Sequence, residues 1–508
     1  MGETHVNNKR IAKNTLLLYI RTLFVMFISL YTSRVILEAL GIDDYGIYQV
    51  VGGLVTMFSI ISSSLTTAIS RFITFEIGTG NKDRLKKIFS TSISIQLIIA
   101  IVILIATEIV GIWFMETKMQ IPADRMEAAK WVLHLSCITF CINLLSIPYN
   151  ACIIAYERMS AFAYISVLEA VAKLLICYLI TISPYDRLIS YATLMLLVAI
   201  SIRCIYTIYC RRNFEESCTG AGFDKSIFKE MIGFSGWSFF NNSASILNNQ
   251  GVNMLMNVHF GVVVNAARGI ANQVEAAVLQ FVNNFTTAIN PQITKCYAVG
   301  DLDNLYKLVY RGAKFSYFSM LLLAMPIIIE ANQILSIWLI EVPDYTAIFV
   351  QLSLVMGMCD SIGNSGYTAC IATGKLKKYS ITITSIAILE FILTWLFFSY
   401  GAPPTYAYFT YIAVKIAIII VRMYLLKSMV GMKVNMYVKN VLAPILLTTI
   451  ASIAIPLLVC VFMKQTLLRI PVTVFVSFIS VIISSLYLGM SANERDTVLN
   501  KFSKLLRK

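Results

Sequence analysis

Arg268 and Glu275 lie in Asn265-Ala-Ala-Arg-Gly-Ile-Ala-Asn-Gln-Val-Glu275, where Asn265, Arg268, Asn272 and Glu275 follow steps of three, four and three and so share one helical face. The stretch before it behaves alike: Asn242, Asn249, Asn253 and Asn257 recur at steps of seven, four and four, with Asn241, Asn248 and Gln250 widening the face. Amides offer donors and acceptors together, which suits hydroxyl-rich ligands such as sugars. The planar fork of an arginine matches phosphate oxygens bidentately. The same amides can instead join helices inside a membrane, at roughly 0.6 kcal/mol per hydrogen bond. The spacing leaves a water-lined cleft and interhelical glue both open. Arg268 and Glu275 are about 10 Å apart along a helix axis, so Arg268 needs a further partner or an anionic ligand unless the two long side chains converge.

Other charges fall inside apolar runs: Arg21, Lys173, Arg203 and Lys415 on the basic side, Glu108, Glu169, Asp360 and Glu390 on the acidic. Each costs roughly 2.5–3.5 kcal/mol at the centre of a span and is expected to face a partner or an aqueous cavity. Glu169 and Lys173 have the spacing of a side-chain ion pair. Arg21, Lys173 and Arg268 are the basic candidates for an anionic ligand. Glu275, Asp360 and Glu390 are the candidates for binding a coupling proton or sodium ion.

The chain that must position these residues is 508 residues long, 58% hydrophobic and 13% charged, with a mean hydropathy of +0.75. A soluble globule cannot hide that much apolar surface, so the bilayer is the solvent. Runs long enough for a core of roughly 30 Å predict an all-α polytopic protein with about fourteen transmembrane helices, near 14–38, 45–70, 88–112, 128–156, 160–182, 187–210, 228–258, 262–290, 308–332, 345–372, 379–399, 404–427, 438–463 and 470–490. The first run follows Lys9, Arg10 and Lys13 without a small-residue cleavage site, so it reads as a span rather than a removable signal. Eleven cysteines without a CxxC pair and three histidines predict neither a zinc site nor a disulfide framework. There is no P-loop, no HExxH and no loop long enough for a catalytic fold, so neither an enzyme nor an ATP-driven pump is expected.

Leu65 to Phe89 aligns ungapped with Phe285 to Val309, 220 residues later, matching at ten of twenty-five positions. Tyr149-Asn-Ala-Cys-Ile is echoed by Tyr367-Thr-Ala-Cys-Ile at an offset of 218. Six spans separate the copies, an even number, so the repeat is parallel, and transporters of that kind carry their path between the repeats near the midplane. The expected organisation is an N-terminal six-helix lobe over 1–210, a polar linker over 211–225, a C-terminal six-helix lobe over 226–430, and two further helices with a basic tail over 431–508. About 29 of the 41 Lys and Arg residues fall in the N-terminus, alternate turns such as Lys82-Asp-Arg-Leu-Lys-Lys87, and the tail. This predicts both termini in the cytoplasm and makes the net charge of +14 a topological signal rather than a nucleic-acid footprint.

The segments Leu40-Gly-Ile-Asp-Asp-Tyr-Gly-Ile-Tyr48, Ser70-Arg-Phe-Ile-Thr-Phe-Glu76, Gly269-Ile-Ala-Asn-Gln-Val274 and Asn290-Pro-Gln-Ile-Thr-Lys295 resemble the bacterial polysaccharide-biosynthesis flippases of the MATE-like multidrug/oligosaccharidyl-lipid/polysaccharide exporter superfamily. The resemblance implies movement of an undecaprenyl-pyrophosphate-linked oligosaccharide, an O-antigen or capsule repeat unit, across the bacterial inner membrane by alternating access. It also implies a cationic cavity matched here by Arg21 and Arg268, and work alongside a polysaccharide polymerase and glycosyltransferases. Glu275 beside Arg268, with Asp360 and Glu390 elsewhere, departs from a uniformly cationic cavity. A multidrug/cation antiporter and a lipid II flippase are the alternatives.

Overall fold

Apolar side chains with one polar exit favour helices, because a helix satisfies its own backbone where lipid offers no partner. The computed structural model describes residues 2–496 apart from 60–64, 67, 71, 74–75, 78–80, 157, 219–221, 299 and 374–375. Of residues 2–19, 218, 234–242, 284–288, 291, 294–295, 298 and 376 it describes the backbone alone. The described residues form helices and no strand. Eleven of these helices are long and apolar enough to cross a membrane. The expected spans at 45–70, 228–258 and 262–290 are not among them, and each includes residues that are outside the described set or described by their backbone alone.

The chain folds as two units, Met1–Ala266 and Ala267–Lys508. The first contains α1 (Gly2–Leu40), α2 (Ile42–Thr56), α3 (Lys82–Ala106), α4 (Ile112–Lys118), α5 (Met126–Ala155), α6 (Met159–Leu179), α7 (Arg187–Asn213), α8 (Lys225–Ile246) and α9 (Val252–Phe260). Within it α5 lies along α7, α1 along α6, and α2 and α3 against α5. A π turn at Thr107–Gly111 joins α3 to α4, and another at Leu247–Gly251 joins α8 to α9. α10 (Val262–Ala298) begins in this unit and continues into the second. The second unit adds α11 (Leu302–Ile329), α12 (Ala331–Trp338), α13 (Thr346–Ala372), α14 (Leu376–Ser399), α15 (Tyr406–Val430), α16 (Val434–Tyr437), α17 (Ala443–Phe462) and α18 (Arg469–Ser484). There α13 packs between α11 and α15, α14 on α15, and the hairpin of α17 and α18 on α11. The division at 211–225 rests on the sequence repeat; within the first unit α8 and α9 pack on α3 and α2.

Local chemistry repeats with the 220-residue period. Gly41 and Gly261 each break a helix in a single residue with φ near +80°, a conformation that glycine adopts without steric cost. Asn81 and Asp301 each cap the helix that follows, their side-chain oxygens accepting from the backbone N–H of Arg84 at 3.0 Å and of Asn304 at 3.2 Å. Much of the aligned stretch between them, including Arg71, Thr74 and the side chains of Thr286 and Thr287, lies outside the described residues.

The faces without a protein partner are apolar. Leu446, Leu447, Ile450, Leu458, Val461 and Phe462 of α17 are each more than half exposed, as are Ile98, Ile101 and Val102 of α3. A soluble surface would not carry such continuous stripes; a lipid-facing one does.

Candidate functional site

In the second unit four helices bring charged side chains into one partly buried cluster. Asp360 of α13 accepts from Lys415 Nζ of α15 at 2.6 Å and, through its other oxygen, from the Tyr411 hydroxyl at 2.6 Å. The Lys415 ammonium also sits 4.6 Å above the centre of the Tyr411 ring, a cation–π contact that lowers the cost of holding the charge away from water. Arg268 of α10 places its guanidinium carbon 5.8 Å from the centre of the Tyr408 ring and is almost wholly buried. Glu275, two turns further along the same face of α10, lies within electrostatic reach of Asp360, Arg268 and Lys415. Glu390 of α14 lies within reach of Lys415, Arg268 and Asp360.

The local packing explains the convergence. Gly357 of α13 has no side chain where Glu275 approaches; a Cβ there would stand 2.6 Å from Met320 Cε and 3.6 Å from Glu275 Oε1. Small residues on the buried face of α13, among them Gly357, Ser361, Gly363, Ser365 and Gly366, let α10, α11 and α15 close in. The result is two cations facing three carboxylates. Fully ionised, the cluster carries one net negative charge, which a single proton or monovalent cation would neutralise.

In the first unit Arg21 lies 4.8 Å over the Phe162 ring and shares Glu169 electrostatically with Lys173, which bonds that carboxylate at 2.6 Å. Lys173 is therefore in the ion pair that its spacing allows. The amide faces divide. Asn265 Nδ2 donates to the Asn253 backbone carbonyl at 2.8 Å and to its Oδ1 at 2.9 Å. Asn253 in turn donates weakly to the Gln49 carbonyl, and Gly53 of α2 fits against Asn253 and Gln250 so closely that a Cβ would lie within 3.0 Å of either. Asn257 accepts from the Gln120 backbone N–H at 3.0 Å. All three are buried, and in this structure Asn253, Asn257 and Asn265 make contacts between chain segments. Asn249 is exposed and Asn272 half-buried; the side chain of Asn242 lies outside the described residues.

Several functional groups carried no signal in sequence. Tyr408 and Tyr411 look like any tyrosine in an apolar run. Arg125 bridges Asp44 and Asp186 at the ends of α2 and α7. His134 meets Glu108 at 2.7 Å beside the first π turn. Two buried ion pairs fasten the last hairpin to α11: Glu330 with Arg469 at 2.7 Å and Lys314 with Glu494 at 2.7 Å.

Residues 18–179 match the MatE family model. Solved structures agree over nearly the whole chain. The lipid II flippase MurJ in an inward closed conformation superposes with a TM-score of 0.66 at 13% identity, covering 92% of this chain and 98% of that one. An inward-facing multidrug resistance MATE transporter of the MOP superfamily gives 0.56 at 12% identity, covering 95% and 99%. A MOP superfamily transporter from Pyrococcus furiosus, described as having a binding pocket of reversed polarity, gives 0.59 at 13% identity over 83% and 97%. The chain thus has the fold of these transporters. Among curated proteins the uncharacterized membrane protein EpsK of Bacillus subtilis is 19% identical over 324 residues, 62% of this chain; the chain spans 63% of the length of that relative.

Proposed function

We propose that this protein is a flippase that carries a polyprenyl-pyrophosphate-linked oligosaccharide, an O-antigen or capsule repeat unit, across the bacterial cytoplasmic membrane by alternating access. The observation that carries the reading is the partly buried cluster of Arg268, Lys415, Glu275, Asp360 and Glu390 in a fold shared with multidrug and lipid II transporters. Arg268 supplies the bidentate donor that a pyrophosphate needs, and Arg21 is the matching basic candidate of the first unit. Asn249 and Asn272, the more accessible of the described amides, meet sugar hydroxyls. Binding of the coupling proton or sodium ion neutralises the surplus negative charge of the cluster and so lets Arg268 accept the anionic cargo. No bond is made or broken, so the protein acts as a carrier that supplies a polymerase with units assembled by glycosyltransferases. The basic turns and both termini face the cytoplasm.

A multidrug antiporter of the same fold would need an anionic, aromatic pocket for organic cations. The net negative charge of the cluster and its two tyrosines favour that second reading, whereas Arg268 and Lys415 favour an anionic cargo, for which a lipid II flippase is the nearer chemical relative. Reconstitution tests the reading: labelled polyprenyl-pyrophosphate oligosaccharide placed on one leaflet should become accessible on the other, and Arg268→Ala should slow this at least about tenfold. Undiminished flipping by Arg268→Ala removes the site assignment; no flipping by the wild type removes the function.

A further inference from the structure

Two arginines outside the cluster occupy matching places in the two copies of the repeat. Arg203 of α7 and Arg422 of α15 stand 219 positions apart, beside the 218 that separates Tyr149-Asn-Ala-Cys-Ile from Tyr367-Thr-Ala-Cys-Ile. In the first unit the Arg203 guanidinium lies 4.0 Å above the Tyr149 ring. In the second, Arg422 Nε donates to the Tyr379 hydroxyl at 2.9 Å, and Arg422 faces Tyr367 and Cys370 of the echoed motif electrostatically. Its guanidinium fills the notch left by Gly363, where a Cβ would collide with Nη1.

Neither arginine has a carboxylate within ion-pair distance among the described residues, in contrast to Lys173, Lys314, Lys415 and Arg469. The Arg203 Nη1 group is buried without a hydrogen-bond partner. Arg422 makes one hydrogen bond through Nε, and its two Nη groups, four N–H donors, are not sealed off. A full charge left so under-bonded at membrane depth is costly, and an aromatic face meets only part of the need.

Depth identifies the missing partner. α7 has 27 residues and α15 has 25, lengths of about 40 and 37 Å against a hydrocarbon core of roughly 30 Å. Arg203 precedes the end of its helix by about 15 Å and Arg422 by about 12 Å, so each lies about one helical turn inside the lipid boundary if the opposite end meets the other boundary. An extended arginine side chain spans that interval. Both helix ends are basic, with Arg211 and Arg212 on one and Lys427 on the other.

We propose that Arg203 and Arg422 form a pair of repeat-related sites, each binding the phosphate of a lipid headgroup drawn in between the helices that carry the arginine and the echoed tyrosine motif. Arginine is the residue suited to this, since its fork takes two phosphate oxygens while its face stacks on an aromatic ring. These sites do not depend on the flippase reading, because neither arginine belongs to the charged cluster.

The test is saturable stabilisation of the purified full-length protein in detergent, read as a thermal shift and as retained lipid in native mass spectrometry. Two probes are used, dioleoyl-phosphatidylglycerol and farnesyl pyrophosphate, against dioleoylglycerol, which lacks phosphate. The wild type should respond saturably to at least one phosphate-bearing probe and not to dioleoylglycerol. Arg203→Gln and Arg422→Gln should each remove one of two retained lipids, the double variant should weaken the response about tenfold or more, and the lysine variants, which keep charge but lose the fork, should fall between. Dependence on the arginines with phosphatidylglycerol identifies an ordinary anionic phospholipid; dependence only with farnesyl pyrophosphate identifies a polyprenyl headgroup. Absence of a saturable response in the wild type, or equal responses in all the variants, overturns the proposal. The lysine variants carry the test where a glutamine variant fails to fold.

Discussion

Asp360 is held by two donors at 2.6 Å, and replacing it by asparagine removes one of the three negative charges that face Arg268 and Lys415. The cluster then balances without a bound ion. Asp360→Asn should therefore abolish the dependence of flipping on an imposed proton or sodium gradient and reduce the driven rate at least about tenfold, as measured in proteoliposomes with and without each gradient. A second residue-scale prediction lies away from the membrane core. Burial pushes the Asp186 carboxyl up, but the Arg125 guanidinium and the Ile189 and Leu188 backbone N–H groups outweigh it and hold the group below the usual carboxylate range. A carboxylate depressed in the fold stabilises fully above its unfolded value, near 3.9, and loses that contribution as pH falls through the folded value. The excess melting temperature of the wild type over Asp186→Asn should accordingly be flat from neutral pH down to about pH 5 and shrink below about pH 4. Of these residues, the face shared by Arg268 and Glu275 was legible because helical spacing is local. The pairing of Asp360 with Lys415 was not, since it joins separate helices, and nothing in Tyr408 or Tyr411 distinguished a site tyrosine from a packing one.

At the scale of elements, the repeat was legible in the aligned stretch, and the structure adds its punctuation, which was not read from sequence: Gly41 and Gly261 turn alike, and Asn81 and Asp301 cap alike. The asparagine faces were legible as faces but not as contacts, because an amide stripe reads the same whether it meets water or, like Asn253, a glycine on a neighbouring helix. The attachment of the last hairpin was hidden because its ion-pair partners lie 139 to 180 residues apart. Lys314 and Glu494 are both nearly inaccessible, at 5% and 8% side-chain exposure, so Lys314→Met leaves a buried carboxylate with the more exposed Arg311 as its remaining cation and the Ser491 N–H as a neutral donor and should destabilise by about 3–5 kcal/mol. Lys314→Met combined with Glu494→Leu should recover most of that loss in detergent unfolding. The Lys82–Glu215 pair, 73% and 70% exposed, is the contrast: Lys82→Ala should leave the unfolding midpoint unchanged within error.

For the whole molecule, hydropathy and repetition predicted a polytopic helical protein, and the likeness to MurJ and MATE structures shows its fold. Cargo is where neither composition nor fold decides, since that fold serves multidrug and lipid-linked substrates alike, and the choice rests on which charges stand in the cluster. The measurement that separates them uses one preparation of proteoliposomes carrying a labelled polyprenyl-pyrophosphate oligosaccharide in one set and a labelled organic cation in another, under the same imposed ion gradient. Transfer of the glycolipid label between leaflets, with the cation left at the rate of protein-free vesicles, is the predicted result. Movement of the cation with no transfer of the glycolipid contradicts the account.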